Sequence, residues 1–366
     1  MLSRDLLINY REMNRINFLF VAILMSLVFF SCRPMRIVDI ETYNPSAITF
    51  PPEVKTVMIV NNSAQQPDGV GHRYTSKIKG DSIISVSADS TAYTFCMALG
   101  KAIAESPLFV DVRICEDTLR RDSIFYNIEP FSIGEVDMFC RDYDVDALIA
   151  LDKVFFKTTY YDKEMAIVHG NTISAMISGE LRVLWPGQKD AYKVPFQDSL
   201  SWTIDSDGYF YYSDIEKEVL MQSYIKSAML YISEVVGRKI HTSVVPHWSE
   251  DNRWYYTNIS SVWKSGSVYA AAAKWSEAEK IWEPLYKKSD KWKHKARLSS
   301  NLALCNEMKG DLEKAVEYAK ISYDLFKEHD KEDSTFINLQ KAYIDILDKR
   351  KQEDGLLSKQ LQEIDK

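Results

Sequence analysis

The feature that most restricts the fold is the stretch from Ser260 to Lys366, which is almost free of Gly and Pro and reads as helix throughout. Within it two helix-turn-helix units recur at an offset of 37 residues. In the first, Gly266, Tyr269, Ala278 and Trp282 alternate small and aromatic, and in the second Ala303, Gly310 and Ala315 fill the corresponding small positions. Helices that cross closely need small residues at the contact, with large neighbours filling the groove. Helix starts are expected at Ser276 with Glu279, and at Asp311 after Gly310. A third, degenerate unit is expected as two helices, about 334–348 and 352–364, whose charged outer residues suit a terminal cap.

This spacing resembles the tetratricopeptide repeat (TPR), with three extra residues over the usual unit of about 34 falling in the loop around 287–293. The resemblance implies a partner-binding solenoid that recognises a protein or peptide on the concave face of its first helices. By that analogy Trp263, Arg297, Ser300, Leu304 and Glu307 line the groove. The alternative is that they are ordinary solvated or inter-repeat positions. The Lys/Asn clamp that some such proteins use for carboxyl-terminal carboxylates is not apparent.

At the other end, Phe18 to Phe30 is an apolar run broken only by Ser26, preceded by Arg15 and followed by Ser31 and Cys32. As a helix it would span about 20 Å against a hydrocarbon core of about 30 Å, which suits a signal-peptide h-region better than a permanent span. Translation from Met13 gives Met13-Asn14-Arg15, a short positive n-region. Phe29-Phe30-Ser31-Cys32 resembles a bacterial lipobox, in the bulky form of Bacteroidota lipoproteins, with Phe29 in place of the usual Leu. That resemblance implies residues 1–32 as signal peptide and a diacylglycerol thioether on Cys32; two or three acyl chains make a stable membrane anchor where one is marginal. The alternatives are an ordinary secretory signal or an uncleaved anchor. Arg33-Pro34-Met35-Arg36 lacks the acidic cluster of surface-exported lipoproteins, so an outer-membrane lipoprotein facing the periplasm is expected.

Residues 33–53 read as a proline-containing tether. Val54 to Val60 is a continuous apolar run, the mark of a strand buried on both faces, and 61–81 reads as a long polar loop. A helix over 87–105, capped by Asp89 or Ser90, precedes a strand over 108–115. A helix over 133–143 leads through Asp144-Val145-Asp146 into a strand reaching Tyr160, and 172–184 with 192–204 form a hairpin about Pro186-Gly187. Ser213-Asp214-Ile215-Glu216 reads as a capping box that opens a long amphipathic helix to Gly237. The order predicts an α/β domain over 54–238, a mixed sheet with packed helices, then an aromatic connector over 239–259 and a repeat domain over 260–366. The fold class expected for the chain is therefore α+β followed by an all-α, TPR-like array. In topology and rhythm, residues 54–237 resemble the periplasmic domains of the curli-assembly-lipoprotein and TolB amino-terminal class, through Val54 to Asn61, Leu108 to Cys115 and Tyr143-Asp144-Val145-Asp146-Ala147-Leu148-Ile149.

Residues that could do chemistry are scattered. The six histidines, His72, His169, His241, His247, His294 and His329, form no zinc spacing, so no metal and no cofactor are expected. Gly69-Val70-Gly71-His72 is too short for a dinucleotide fingerprint, and no Gly-x-Ser-x-Gly elbow occurs. Asp205-Ser206-Asp207-Gly208 places its glycine too early for a calcium loop and reads as a turn. The tyrosines at 160–161 and the aromatics at 209–212 and 254–256 could stack on sugars, although packing is the commoner use. Cys96, Cys115, Cys140 and Cys305 sit inside apolar runs as expected buried thiols. With 45 Lys+Arg against 52 Asp+Glu the net charge is −7, which leaves no basic surplus for nucleic acid.

Lipobox, α/β domain, connector and repeats together look like an uncharacterised Bacteroidota family of TPR-containing lipoproteins. The expectation is a protein held to the membrane through lipid on Cys32, with a protein partner on the repeat groove and no catalytic residues. A glycan-binding module and an enzyme whose site is dispersed in sequence are the competing expectations.

Overall fold

The computed structural model describes residues 35–76, 80–161, 171–204, 214–330 and 334–362. Cys32 with its signal segment, Ser213 of the expected capping box, the Asp205–Gly208 turn, the Tyr209–Tyr212 aromatics and His169 lie outside the described residues. The described chain is a mixed-sheet region followed by a run of helices, and it divides into two units. One unit comprises 43–247 with 356–366; the other comprises 248–355 with the chain up to Thr42.

The first unit is built on β2 (Thr56–Asn61), β3 (His72–Ser76), β4 (Gly80–Ile83), β5 (Asp111–Thr118), β6 (Ala147–Tyr161), β7 (Asn171–Leu184) and β8 (Tyr192–Ile204). Their path is β4-β3-β6-β2-β5, with β7 and β8 extending from the other edge of β6. β2 pairs in parallel with both β5 and β6, which is why its run carries no polar alternation. Val57 and Ile59 face a core formed with α1 (Thr91–Ala104) and α3 (Asp214–Ile240). Met58 and Val60 face a smaller core with Val136 and Cys140 of α2 (Ile133–Tyr143).

Asp146 locks the start of the sheet, its carboxylate accepting from Lys55 N, Thr56 N and Thr56 Oγ1 at 2.8–2.9 Å. Burial would raise its pKa, but these donated bonds hold it below the usual carboxylate value. α2 starts on a complete capping box of Ser132 and Glu135. Ser90 occupies the N-cap of α1 in a left-handed conformation, φ 62°, and its side chain makes no capping bond. α3 runs past the expected end at Gly237, because that glycine marks a close approach: a Cβ there would lie 2.5 Å from the Phe95 carbonyl oxygen. The expected loop over 61–81 contains β3, whose parallel pairing to the far half of β6 no local pattern announces.

The second unit holds β1 (Met35–Asn44, up to Thr42), β9 (His247–Tyr256, from Trp248), and α4 (Ser261–Ala271), α5 (Trp275–Lys288), α6 (Trp292–Met308), α7 (Leu312–His329) and α8 (Ser334–Gln362, up to Gly355). β1 and β9 form a two-stranded sheet. Much of the expected tether and of the expected connector is therefore strand. Val38, Ile40 and Thr42 alternate inward, and Val38 and Ile40 join the helical core.

The paired helices are present, with corrections to their ends. α5 begins at Trp275, so Ser276 is inside the helix and caps nothing, whereas Asp311 does cap α7 by accepting from Lys314 N. Gly310 is not a crossing residue: nothing lies within 4 Å of the place its Cβ would take, and its φ of +82° serves the turn between α6 and α7. α8 is one helix, since 349–351 reads Lys-Arg-Lys and contains no breaker.

Gly266 behaves as its spacing implies. A Cβ on it would lie 2.3 Å from Nε1 of the fully buried Trp282. Gly266→Ala is expected to lose about 1–3 kcal/mol by overpacking, read as a lower urea midpoint of the helical unit. An unchanged midpoint would mean that α4 and α5 can move apart freely.

Candidate functional site

The residues expected to line an open groove do come together on the inward side of the helices, but that side is filled. β9 lies along it. Asn301 of α6 accepts from Tyr256 N at 2.6 Å and donates to Tyr256 O at 2.9 Å, holding both polar backbone groups of one residue. Trp263 is 3% exposed, and its indole N–H donates to the same carbonyl at 2.8 Å. Arg297 is half-buried with its guanidinium 5.6 Å from the Tyr256 ring centroid. Ser300 and Leu304 are fully buried.

Glu307 carries the largest electrostatic load of the five. Its side chain is fully buried; Arg253 Nε donates to it at 3.0 and 3.2 Å, Arg350 Nη1 at 2.5 Å and Tyr343 OH at 2.8 Å. Gln340 donates to Tyr256 OH at 3.1 Å, so α8 also grips the strand. Trp263, Arg297 and Glu307 thus engage the chain's own β9, and Ser300 and Leu304 are buried, so these residues do not form an open groove. Helical periodicity puts Arg297, Ser300, Leu304 and Glu307 on one face of α6, and the repeat resemblance adds Trp263 of α4. It carries no information on what covers that face, because the covering strand lies about 50 residues upstream of Glu307.

One open face of the helical unit, the outer face of α4, is nearly uncharged. Ser261, Val262, Lys264, Ser265, Val268, Tyr269, Ala271 and Ala272 are exposed, with Val262 at 50%, Val268 at 67% and Tyr269 at 37%; Ile259 just before them is 83% exposed. Lys264 is the one charge on that face. The exposed side of α7 carries instead Glu313, Lys314, Glu317 and Lys320. The signal in sequence was Ser261-Val262-Trp263-Lys264-Ser265-Gly266-Ser267-Val268-Tyr269-Ala270-Ala271, a helix with too little charge for its solvent side.

The other sequence candidates are structural. Tyr160, Tyr255 and Tyr256 are buried in the cores. His241 and His247 face each other edge to face at 6.0 Å, and no group of three metal-ligating side chains occurs among the described residues. The four described cysteines are free and buried; burial pushes the Cys96 thiol up to about 12 and Cys140 to about 11. Among the described residues no helix is long and apolar enough to cross a membrane.

Comparison with known proteins adds family relationships without a function. Residues 54–256 match the model of a family described as a domain of unknown function (DUF8603), and residues 264–349 match a second domain of unknown function (DUF6340). No curated protein matches. One solved structure, described as the crystal structure of an uncharacterized protein, is 16% identical over 51% of this chain and 99% of that chain, with a TM-score of 0.21.

Proposed function

We propose that this chain, which belongs to the DUF8603 family, is a lipid-tethered envelope protein that docks another protein on the open amino-terminal end of a TPR-like array. The reading follows the lipobox at Cys32 and its likeness to periplasm-facing outer-membrane lipoproteins, and it moves the partner from the inward side of the array to α4. The observation that carries it is the nearly uncharged outer face of α4. Each repeat of a solenoid buries its faces against its neighbours, so an end helix needs a polar outer side to stay soluble. An end that keeps valines and a tyrosine in solvent has the composition of a contact surface. The opposite end carries Lys349, Lys351 and Glu353 on α8 and suits a cap.

Photo-crosslinking in cells, from a benzophenone amino acid placed at Val268 or at Lys320 of α7, tests this. A discrete adduct from 268 and none from 320 is expected. Adducts from both or from neither would remove α4 as the docking face. The tether is read in the same cells: labelled palmitate should enter the chain and be lost in Cys32→Ser.

A further inference from the structure

The α/β unit holds a cavity of about 290 Å³ between the start of α2 and the turn that joins β7 to β8. Its wall is apolar, formed by Phe131, Val136, Leu184 and Trp185, and Trp185 is fixed by stacking on Tyr192 at 5.5 Å. The charged part of the lining is mostly basic: Arg182, Lys189 and Lys193 stand against the single carboxylate of Asp190. Arg182 Nε is engaged by Asp152 at 2.9 Å and Glu180 at 3.0 Å. Lys189 and Lys193 make no ion pair among the described residues, so their charge is unspent.

A second observation is independent of the charge. Gln188 also lines the cavity, and its Oε1 accepts from Trp185 N at 3.1 Å, which fixes the amide orientation and leaves Nε2 as the donor. That nitrogen is buried and has no acceptor among the described residues. A buried donor without an acceptor costs about 1–3 kcal/mol, and an oxygen supplied by a ligand would remove that cost. At the start of α2 the capping box takes up the Ser132 and Glu135 N–H groups.

An apolar wall, two unpaired ammonium groups and an orphan amide N–H specify one chemistry. We infer that this cavity binds a small amphiphilic anion, a ring or short apolar chain that ends in a carboxylate, sulfonate or phosphate. The apolar body lies against Trp185 and Phe131, and the anionic end takes the two lysines, with the Gln188 amide N–H joining them on a turn of its side chain toward the cavity. The site is separate from the docking face on α4, and neither reading depends on the other.

Calorimetric titration of the full chain with 1-naphthoate, neutral 1-naphthamide and octanoate tests it. Saturable one-site binding of naphthoate or octanoate is expected, with naphthamide at least about tenfold weaker and the anion's affinity falling as salt rises. Lys189 and Lys193 are exposed, so K189E/K193E leaves the core alone; it should weaken naphthoate about tenfold, while K101E on α1 should leave it unchanged. The inference fails if naphthamide binds as well as naphthoate, if K189E/K193E has no effect, or if neither anion saturates. It fails equally if Trp202→Ala abolishes naphthoate binding, which would place the probe in the apolar cleft of about 470 Å³ formed by Trp202, Tyr224 and Tyr231.

Discussion

Glu307→Ala is expected to destabilise the helical unit by about 3–5 kcal/mol, the largest effect of any single substitution proposed here. The carboxylate is fully buried and is the partner of two guanidinium groups, Arg253 at 2.9 Å and Arg350 at 2.5 Å, and of the Tyr343 hydroxyl. Its removal leaves Arg253, whose side chain is 4% exposed, with the Asn252 carbonyl oxygen at 3.0 Å and, as remaining counter-charge, the half-exposed Asp251 at 3.9 Å. The cost is that of a buried cation whose remaining counter-charge is distant and half-solvated, together with a cavity beside Tyr343. Glu307→Gln separates the two contributions, because it keeps the volume and loses the charge. It should retain most of the destabilisation, whereas Arg253→Met, which leaves Glu307 with Arg350 and Tyr343, should cost less than Glu307→Ala. Urea unfolding of the three variants reads this out. A loss below about 1 kcal/mol for Glu307→Ala would mean that water reaches the cluster.

The same cluster explains why the expected groove was legible as a face and illegible as a site. The resemblance to tetratricopeptide repeats implies one side of the first helices for Trp263, Arg297, Ser300, Leu304 and Glu307, and the structure buries or half-buries them on the inward side. Whether such a face is open depends on β9 and α8, which join it through contacts distant in sequence, such as Arg253 with Glu307 and Tyr343 with Glu307. β9 itself reads Trp248-Ser249-Glu250-Asp251-Asn252-Arg253, too polar to declare itself a strand before its buried partners are known. Local signals did better where one element decides its own fate. The continuous Val57 to Val60 run, the 192–204 arm of the hairpin and the 133–143 helix all stand at or close to where their patterns place them. Gly310 shows the limit of a small-residue pattern: glycine fits both a tight crossing and a left-handed turn, and the spacing of 37 residues could not distinguish them. The basic cavity was invisible for a similar reason, since Arg182, Gln188 and Lys193 become neighbours of Phe131 only when α2 packs beside the end of β7.

Acidification from pH 7 to about 4 should cost the α/β unit up to about 3 kcal/mol through one group, His72. The imidazole is 1% exposed on β3, and burial lowers its pKa to about 4, with the negative charge of Asp68 opposing the shift. Its Nδ1 lies 2.8 Å from Thr158 Oγ1, and its Nε2 faces the Gln66 amide nitrogen at 3.4 Å. Gln66 cannot turn to offer its oxygen, because Oε1 accepts from Phe156 N while Nε2 donates to Val70 O and Phe156 O. His72 is therefore held with Nδ1 protonated and Nε2 as the bare nitrogen, and a second proton would set one donor against another. In the unfolded chain the same residue takes its proton near pH 6.5. Between the two values the unfolded state binds more protons than the folded one, so stability is fully present above pH 6.5 and declines as the pH falls toward 4. Carboxylates held below their usual range, such as Asp146 and Asp198, lose most of their contributions below this window, while Asp152, whose pKa burial raises, takes up its proton in the folded state and opposes the loss. Urea midpoints at pH 7, 6, 5 and 4.5 for the native chain and for His72→Asn measure the slope. The native chain should weaken steadily below pH 6.5, and the variant, though weaker at pH 7, should show a markedly flatter dependence. Parallel curves would assign the acid sensitivity to other groups and would require that His72 accept its proton without opening the Gln66 contact.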